Sequence, residues 1–203
     1  MTSCDAVAAW LQRGREQARA EGLPMRFAVG EAQALPFADA SFDLVLSTFG
    51  VMYAVEAERA AAELLRVLRP GGRIGLANWT PDSFIGRLFR IIGRHVAPPA
   101  GVASPALWGS EPHLRTLFGD GVDLRCEKKV FHFRFRSPTH WVQVFREFYG
   151  PTHKAFAALS PDGRQALERD ILALIDEFNR AAPDSMVVPS EYLEVVATKR
   201  AAP

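Results

Sequence analysis

Glu63-Leu64-Leu65-Arg66-Val67-Leu68-Arg69-Pro70-Gly71-Gly72-Arg73 takes the chain from the end of a helix into a strand. Upstream of the turn, Ala57, Ala61, Leu64 and Leu68 recur at steps of four, three and four, which aligns them on one face of a helix over 56–68. Early acids and late arginines in that segment suit its dipole. Pro70-Gly71-Gly72 ends the helix, and Arg73 to Trp79 then reads as a strand. Before the helix, Ser41-Phe42-Asp43-Leu44-Val45-Leu46-Ser47 holds a compact apolar run after a polar loop. Phe42 to Leu46 is expected to be a strand buried on both faces.

Further toward the N-terminus, Met1 to Asp5 reads as the end of a strand. Ala6 to Ala20 reads as a helix with Val7, Trp10, Leu11 and Ala18 near one face, stopped by Gly22 and Pro24. Met25 to Val29 is a further strand, and Gly30 to Ala40 is a loop containing Pro36. The order is therefore strand, helix, strand, strand, helix, strand. Strands interleaved with crossover helices predict a parallel sheet covered by helices, an α/β fold.

Past Trp79 the pattern changes. A helix is expected over Ser83 to His95 and a short one over Glu111 to Phe118, with a Pro-, Gly- and Ala-rich loop between them. Val130 to Arg136 alternates, with Phe131, Phe133 and Phe135 on one side and His132, Arg134 and Arg136 on the other. Helices are expected over Thr139 to Tyr149 and Ser160 to Ala181, the latter with Ser160 as cap and Pro161 at its first position. Tyr192 to Lys199 is the last strand. Two late strands separated by a helical insertion at 137–190 predict an antiparallel C-terminal edge strand on the parallel sheet. The 203 residues are expected to form a single domain.

Hydrophobic residues make up 48% of the chain and charged residues 23%, the balance of an ordinary globular protein. A formal net charge of +1 gives no field that would draw the chain to nucleic acid or anionic lipid. No stretch approaches the ~18 apolar residues of a membrane span, and the first twenty residues do not read as a signal peptide. Cys4 and Cys126 read as reduced thiols, so a cytoplasmic location is expected. His95, His113, His132, His140 and His153 are scattered without metal-site spacing, and no metal is expected.

Four segments in order carry a resemblance: Asp5 at the end of the first strand, Gly30-Glu31-Ala32-Gln33-Ala34-Leu35-Pro36-Phe37, the 41–47 strand, and the 63–73 helix-to-strand turn. Together they resemble the class I S-adenosylmethionine-dependent methyltransferases, in particular the type 11 branch that includes the quinone-biosynthesis methyltransferases. The resemblance covers residues 1 to about 80 motif by motif. It implies a Rossmann-like doubly wound sheet, a cofactor half over 1–80 and a substrate half over 81–203. It also implies S-adenosylmethionine as cofactor and methyl transfer to a small organic acceptor.

In open parallel sheets, ligands sit beyond the carboxyl ends of the strands, and Asp5, Glu31 and Ser47 each fall at such an end. The resemblance gives Asp5 the two ribose hydroxyls, a role that suits a carboxylate with two acceptor oxygens. The alternative is that Asp5 only caps the helix that follows. Glu31, where the family usually has Asp, is positioned for the exocyclic amine of adenine, and the Ala32 amide for a ring nitrogen. The alternative for Glu31 is a solvated loop carboxylate. Ser47, Thr48 and Phe49 either face the sulfonium end of the cofactor or simply terminate the strand. No catalytic residue is assigned.

One family element is not found. The resemblance implies a glycine-rich strand-to-helix turn roughly 20 residues before the acidic residue, where side chains would block the backbone from the ligand. Asp5 is too early for that, and Gly71, Gly72 and Gly75 lie before and within a strand. The expected fold therefore lacks its first central strand, worth roughly ten ladder hydrogen bonds at about 1 kcal/mol each, against a domain stability of about 5–15 kcal/mol. Closure is expected to pair the first and third remaining strands, with a damaged crevice, impaired transfer and self-association through exposed edges. A start site placed late would explain the gap, and the upstream DNA would decide it. The alternative function is a non-catalytic remnant acting only by association. Trp79, Phe84, Trp108, Trp141 and Phe145 either line an apolar substrate pocket or form core.

Overall fold

The computed structural model describes residues 1–182 and 184–200. In chain order its strands are β1 (Thr2–Asp5), β2 (Arg26–Val29), β3 (Phe42–Thr48), β4 (Leu68–Trp79), β5 (Val122–Phe135) and β6 (Met186–Lys199). Its helices are α1 (Ala8–Ala20), α2 (Ala57–Val67), α3 (Phe84–His95), α4 (Glu111–Phe118), α5 (Pro138–Phe148), α6 (Gly150–Ala158) and α7 (Pro161–Phe178). The strands form a two-stranded sheet, β1-β2, and a four-stranded sheet in the order β3-β4-β6-β5. This is the Rossmann-like, mostly parallel α/β arrangement that the sequence predicts.

The chain divides into two compact units. The first holds Met1–Leu76, Leu114–Arg125 and Val195 onward; the second holds Ala77–His113 and Cys126–Glu194.

In the first unit, β1 and β2 are parallel, with Thr2 opposite Arg26 and Asp5 opposite Val29. Helix α1 packs on both strands. A Cβ added at Gly14 would lie 3.1 Å from the Phe27 ring, so the glycine lets ring and helix meet closely. The buried stripe of α1 is Leu11 and Ala18. Val7 and Trp10, expected beside them, are exposed, because Val7 precedes the helix as its cap residue.

Two expectations fail here. Strand β1 pairs with β2, and β3 belongs to the other sheet, so the predicted pairing of the first and third strands does not occur. Strand β3 is not buried on both faces, since Leu44 is 53% and Leu46 66% exposed. Leu44 and Leu46, two residues apart, share the face of β3 that is left open. Strand β3 heads its sheet and is covered by a paired strand only on the β4 side.

The C-terminal strand is antiparallel, as expected, but its place differs. Lys199, at the end of β6, bonds to the Leu68 carbonyl at the start of β4. At the opposite end of β4, the Thr80 N–H donates to the Glu191 carbonyl. The Arg200 N–H donates to Gly121, just before β5. Strand β6 thus lies inside the sheet, and β5 takes the edge. It also begins earlier than the expected Tyr192, at Met186, and carries Pro189. Pro189 lies past the Thr80–Glu191 contact where β4 ends, so its missing N–H costs no bond on that side.

The second unit is built on aromatic packing. Trp141 stacks on Phe145 with centroids 3.8 Å apart, and Phe84 meets Trp141 edge-on at 5.2 Å. Phe133 contacts Trp79 at 5.7 Å and Phe145 at 5.6 Å. Trp79, Phe84, Trp108, Trp141 and Phe145 are all buried, which decides for core over pocket lining. Around them α3 packs on α7 and α6, and α5 on α6 and α7. Ser83, Ser137 and Ser160 each cap a helix by accepting an N–H, from Gly86, His140 and Gly163 respectively. The insertion contains three helices where two are predicted. Helix α6 buries Thr152, Ala155 and Phe156 and has one large apolar side chain, too few for a legible stripe.

Candidate functional site

The carboxyl ends of β1 and β2 lie side by side. Asp5 is in register with Val29, and the Gly30 N–H donates to the Asp5 carbonyl at 3.1 Å. Asp5 and Glu31 therefore leave neighbouring parallel strands at the same end. The Asp5 side chain is exposed, and its Oδ1 accepts the Val7 N–H at 2.7 Å, fixing the turn into α1. This is an Asx turn ahead of the helix and not the cap weighed above, since Val7 is the cap residue and no side chain caps α1; it uses one of the two carboxylate oxygens.

Gly30 is needed where it stands. An added Cβ would lie 2.4 Å from Pro36 Cδ and 3.1 Å from Cys4 Sγ, so only glycine lets the loop fold back on the strand end. The Cys4 thiol donates weakly to the Gly30 carbonyl at 3.7 Å. Burial, then the charge of Asp5, pushes the Cys4 pKa up and keeps the thiol protonated.

Glu31 opens a tight turn in which the Ala34 N–H donates to the Glu31 carbonyl at 3.0 Å. The Glu31 side chain is exposed and Ala32 is half-buried within that turn. The turn is anchored to α2. Glu63 accepts the Leu35 N–H at 2.7 Å, and Gln33 Oε1 accepts the Glu56 N–H at 2.7 Å. Arg66 donates to the Leu35 carbonyl at 3.1 Å, to the Phe37 carbonyl at 2.8 Å and to Asp39 at 2.7 Å. The Arg66 hydrogen bond holds the Glu63 carboxyl below its ordinary range. The Leu35 N–H acts the same way, and burial opposes both.

Ser47 and Thr48 end β3 and Phe49 follows it, so these three leave the four-stranded sheet, while Asp5 ends β1 and Glu31 and Ala32 follow β2 of the other. Ser47 Oγ accepts the Val51 N–H at 2.9 Å and caps the 3-10 turn Val51–Tyr53. Phe49 has φ 52°, a left-handed backbone that costs a β-carbon residue about 1–2 kcal/mol. Such strain concentrates at functional turns.

The sequence reading missed Glu63, Arg66 and Gln33, which position the 31–37 segment. A signal existed, since Glu63 and Arg66 are spaced three apart on the helix carrying the fold-deciding turn. Gly119-Asp120-Gly121, the sequence's single G-x-G, leads from helix α4 into strand β5, the reverse of the strand-to-helix order that a phosphate- or nucleotide-gripping turn needs.

Residues 1–76 match the family described as a methyltransferase domain. An uncharacterized protein of Mycobacterium tuberculosis is 38% identical over 202 residues, covering 98% of this chain and 73% of that protein. A demethylmenaquinone methyltransferase of Deinococcus radiodurans is 39% identical over 112 residues, covering 54% of this chain and 46% of its own length. In fold, a crystal structure of a putative methyltransferase from Bacillus halodurans superposes with a TM-score of 0.67 at 18% identity, covering 98% of this chain and 83% of that one.

Proposed function

This chain belongs to the class I S-adenosylmethionine-dependent methyltransferases, and from that premise we propose that it moves a methyl group to a small organic acceptor, with Asp5, Glu31 and Ala32 holding the adenosine part of the cofactor. The observation that carries the site is the parallel register of Asp5 with Val29, which sets two carboxylates at the same end of adjacent strands. The donor set suits the ligand. Asp5 spends Oδ1 on Val7, which leaves Oδ2 as an acceptor for a ribose hydroxyl. Glu31 is exposed and suited to accept from the adenine amine, with the Ala32 amide beside it. Ser47, Thr48 and Phe49 are assigned to the sulfonium end.

The cofactor brings an already activated methyl group, and the protein's part is alignment and exclusion of water. In the second unit, residues 81–113 and 137–190 are assigned to the acceptor. Asn78, at the carboxyl end of β4, is fully buried, and neither polar atom of its amide has a hydrogen-bond partner among the described residues. A buried bare amide is costly, and Asn78 carries that cost inside the second unit.

Titration calorimetry of the 203-residue chain with S-adenosylmethionine tests the assignment. Saturable binding is expected, weakened about tenfold or more in Asp5→Asn and in Glu31→Gln, the loss of one charge-assisted hydrogen bond each. Binding that ignores both substitutions overturns the assignment.

A second reading, association without catalysis, is favoured by the solvent-facing Leu44 and Leu46 on the end strand of a sheet. It predicts no cofactor heat and a concentration-dependent mass.

A further inference from the structure

Helices α5, α6 and α7 of the second unit enclose an open groove of about 580 Å³ whose lining includes Arg146, Glu147, His153, Phe156 and Arg164. That volume is within the range of small-molecule sites, roughly 300–1,000 Å³. Two guanidinium groups reach it, and both are held by the same residue. Arg146 lies over the Phe156 ring, 5.0 Å from its centroid. Arg164 donates Nε–H to the Phe156 carbonyl at 2.8 Å. Phe156 itself is 2% exposed, so it is a fixed support. His153 Nδ1 is bonded to the Arg146 carbonyl at 3.1 Å, which ties α6 to α5 across the groove.

These contacts orient the two arginines without consuming their charge. Elsewhere Arg66, Arg69, Arg87, Arg90 and Arg200 each pair with a carboxylate. Arg146 and Arg164 pair with none among the described residues, although Glu147 lines the same groove. A guanidinium has five N–H donors in a rigid fork. Stacking uses none of the five on Arg146, and the Phe156 carbonyl uses one on Arg164. The remaining donors match the planar two-oxygen geometry of a carboxylate. Glu147 places one negative charge on the wall, which disfavours a dianion relative to a singly charged ligand.

We propose that this groove is a binding site for the carboxylate of a small organic acid, gripped between Arg146 and Arg164. It uses none of the residues assigned to the cofactor, but it lies within residues 137–190, assigned above to the acceptor, and so deepens that reading; its test reads carboxylate binding alone, so its failure is distinguishable from a failure of cofactor binding.

The test is an NMR titration of the full chain with sodium acetate at pH 7, with chloride holding the ionic strength constant. Inorganic phosphate is titrated in parallel. The Arg146 and Arg164 Nε–Hε resonances are expected to shift and saturate with acetate. Arg146→Gln keeps every side-chain hydrogen bond of the fold among the described residues, because the Arg146 side chain contributes only stacking, and it should weaken acetate binding about tenfold, as should Arg164→Gln. Arg169→Gln, on α7 outside the groove lining, should leave binding unchanged. Phosphate should bind more weakly than acetate and gain in Glu147→Gln. A linear, non-saturating response, or saturation that survives Arg146→Gln undiminished, overturns the site. Tighter binding of phosphate than acetate overturns the choice of a carboxylate.

Discussion

Glu63 and Arg66, one turn apart on α2, close on each other at 2.6 Å and together clasp both backbone groups of Leu35: Glu63 takes its N–H and Arg66 donates to its carbonyl. The Glu31–Ala34 turn is thereby held to a helix from its C-terminal side. The adenosine-facing loop proposed above owes its place to a clasp that touches no ligand.

Glu63→Gln is expected to loosen this loop while leaving the fold. The Leu35 amide should exchange with solvent about tenfold faster, since its opening free energy falls by roughly one charge-assisted bond. Hydrogen exchange read by NMR checks this, and unchanged protection at Leu35 would count against the clasp.

The same pair sets a pH dependence. Glu63 has its folded pKa depressed, chiefly by Arg66, so its contribution is present above the unfolded carboxyl value of about 4.3 and is lost as pH falls through the lower folded value. Urea midpoints taken from pH 7 down to pH 3 should fall more steeply for the parent chain than for Glu63→Gln. Parallel curves would remove the argument.

Lys199 ends β6 and donates to the Leu65 carbonyl at 2.7 Å and the Leu68 carbonyl at 2.8 Å, where α2 runs out of intrahelical partners. Lys199→Met keeps the stem and removes the cap. A loss of about 1–3 kcal/mol is expected from two half-buried carbonyls left short of a donor. Urea unfolding should show a lower midpoint with an unchanged slope.

Gly30→Ala forces a methyl to 2.4 Å from Pro36. Overpacking of that kind costs about 1–3 kcal/mol. Thermal unfolding checks the size, and the variant should also bind S-adenosylmethionine less tightly, because the Glu31 turn starts at the displaced residue.

Leu44 and Leu46 face solvent on β3. Replacing both with Lys should leave stability within about 0.5 kcal/mol per site and lower any concentration-dependent mass seen by sedimentation. A sharp loss of stability would show that these leucines are covered in solution.

The elements that carry their own periodicity were legible. Helix α2 with its Ala61–Leu64 stripe and the Ser160-Pro161 start of α7 follow from local sequence. The expected break does not hold: α2 ends at Val67, and β4 starts at Leu68 and carries Pro70-Gly71-Gly72 within it, because the chain is already extended at Leu68. The strand ends at Asp5 and just before Glu31 were legible too, through the family resemblance that marks both acids. Helix α6 was not, since one Phe156 among small and polar residues makes no stripe.

The sequence by itself determined the α/β class, the helix caps and the two acidic strand ends, because those depend on contacts within a few residues of chain. Only the tertiary structure decided that β6 lies inside the sheet, that β1 and β3 do not pair, and that Leu35 is clasped from 28 residues away by Glu63. Strand order and long-range hydrogen bonds depend on which edges and donors meet in space. Periodicity tells a residue which way to face and carries no information about what it will find there.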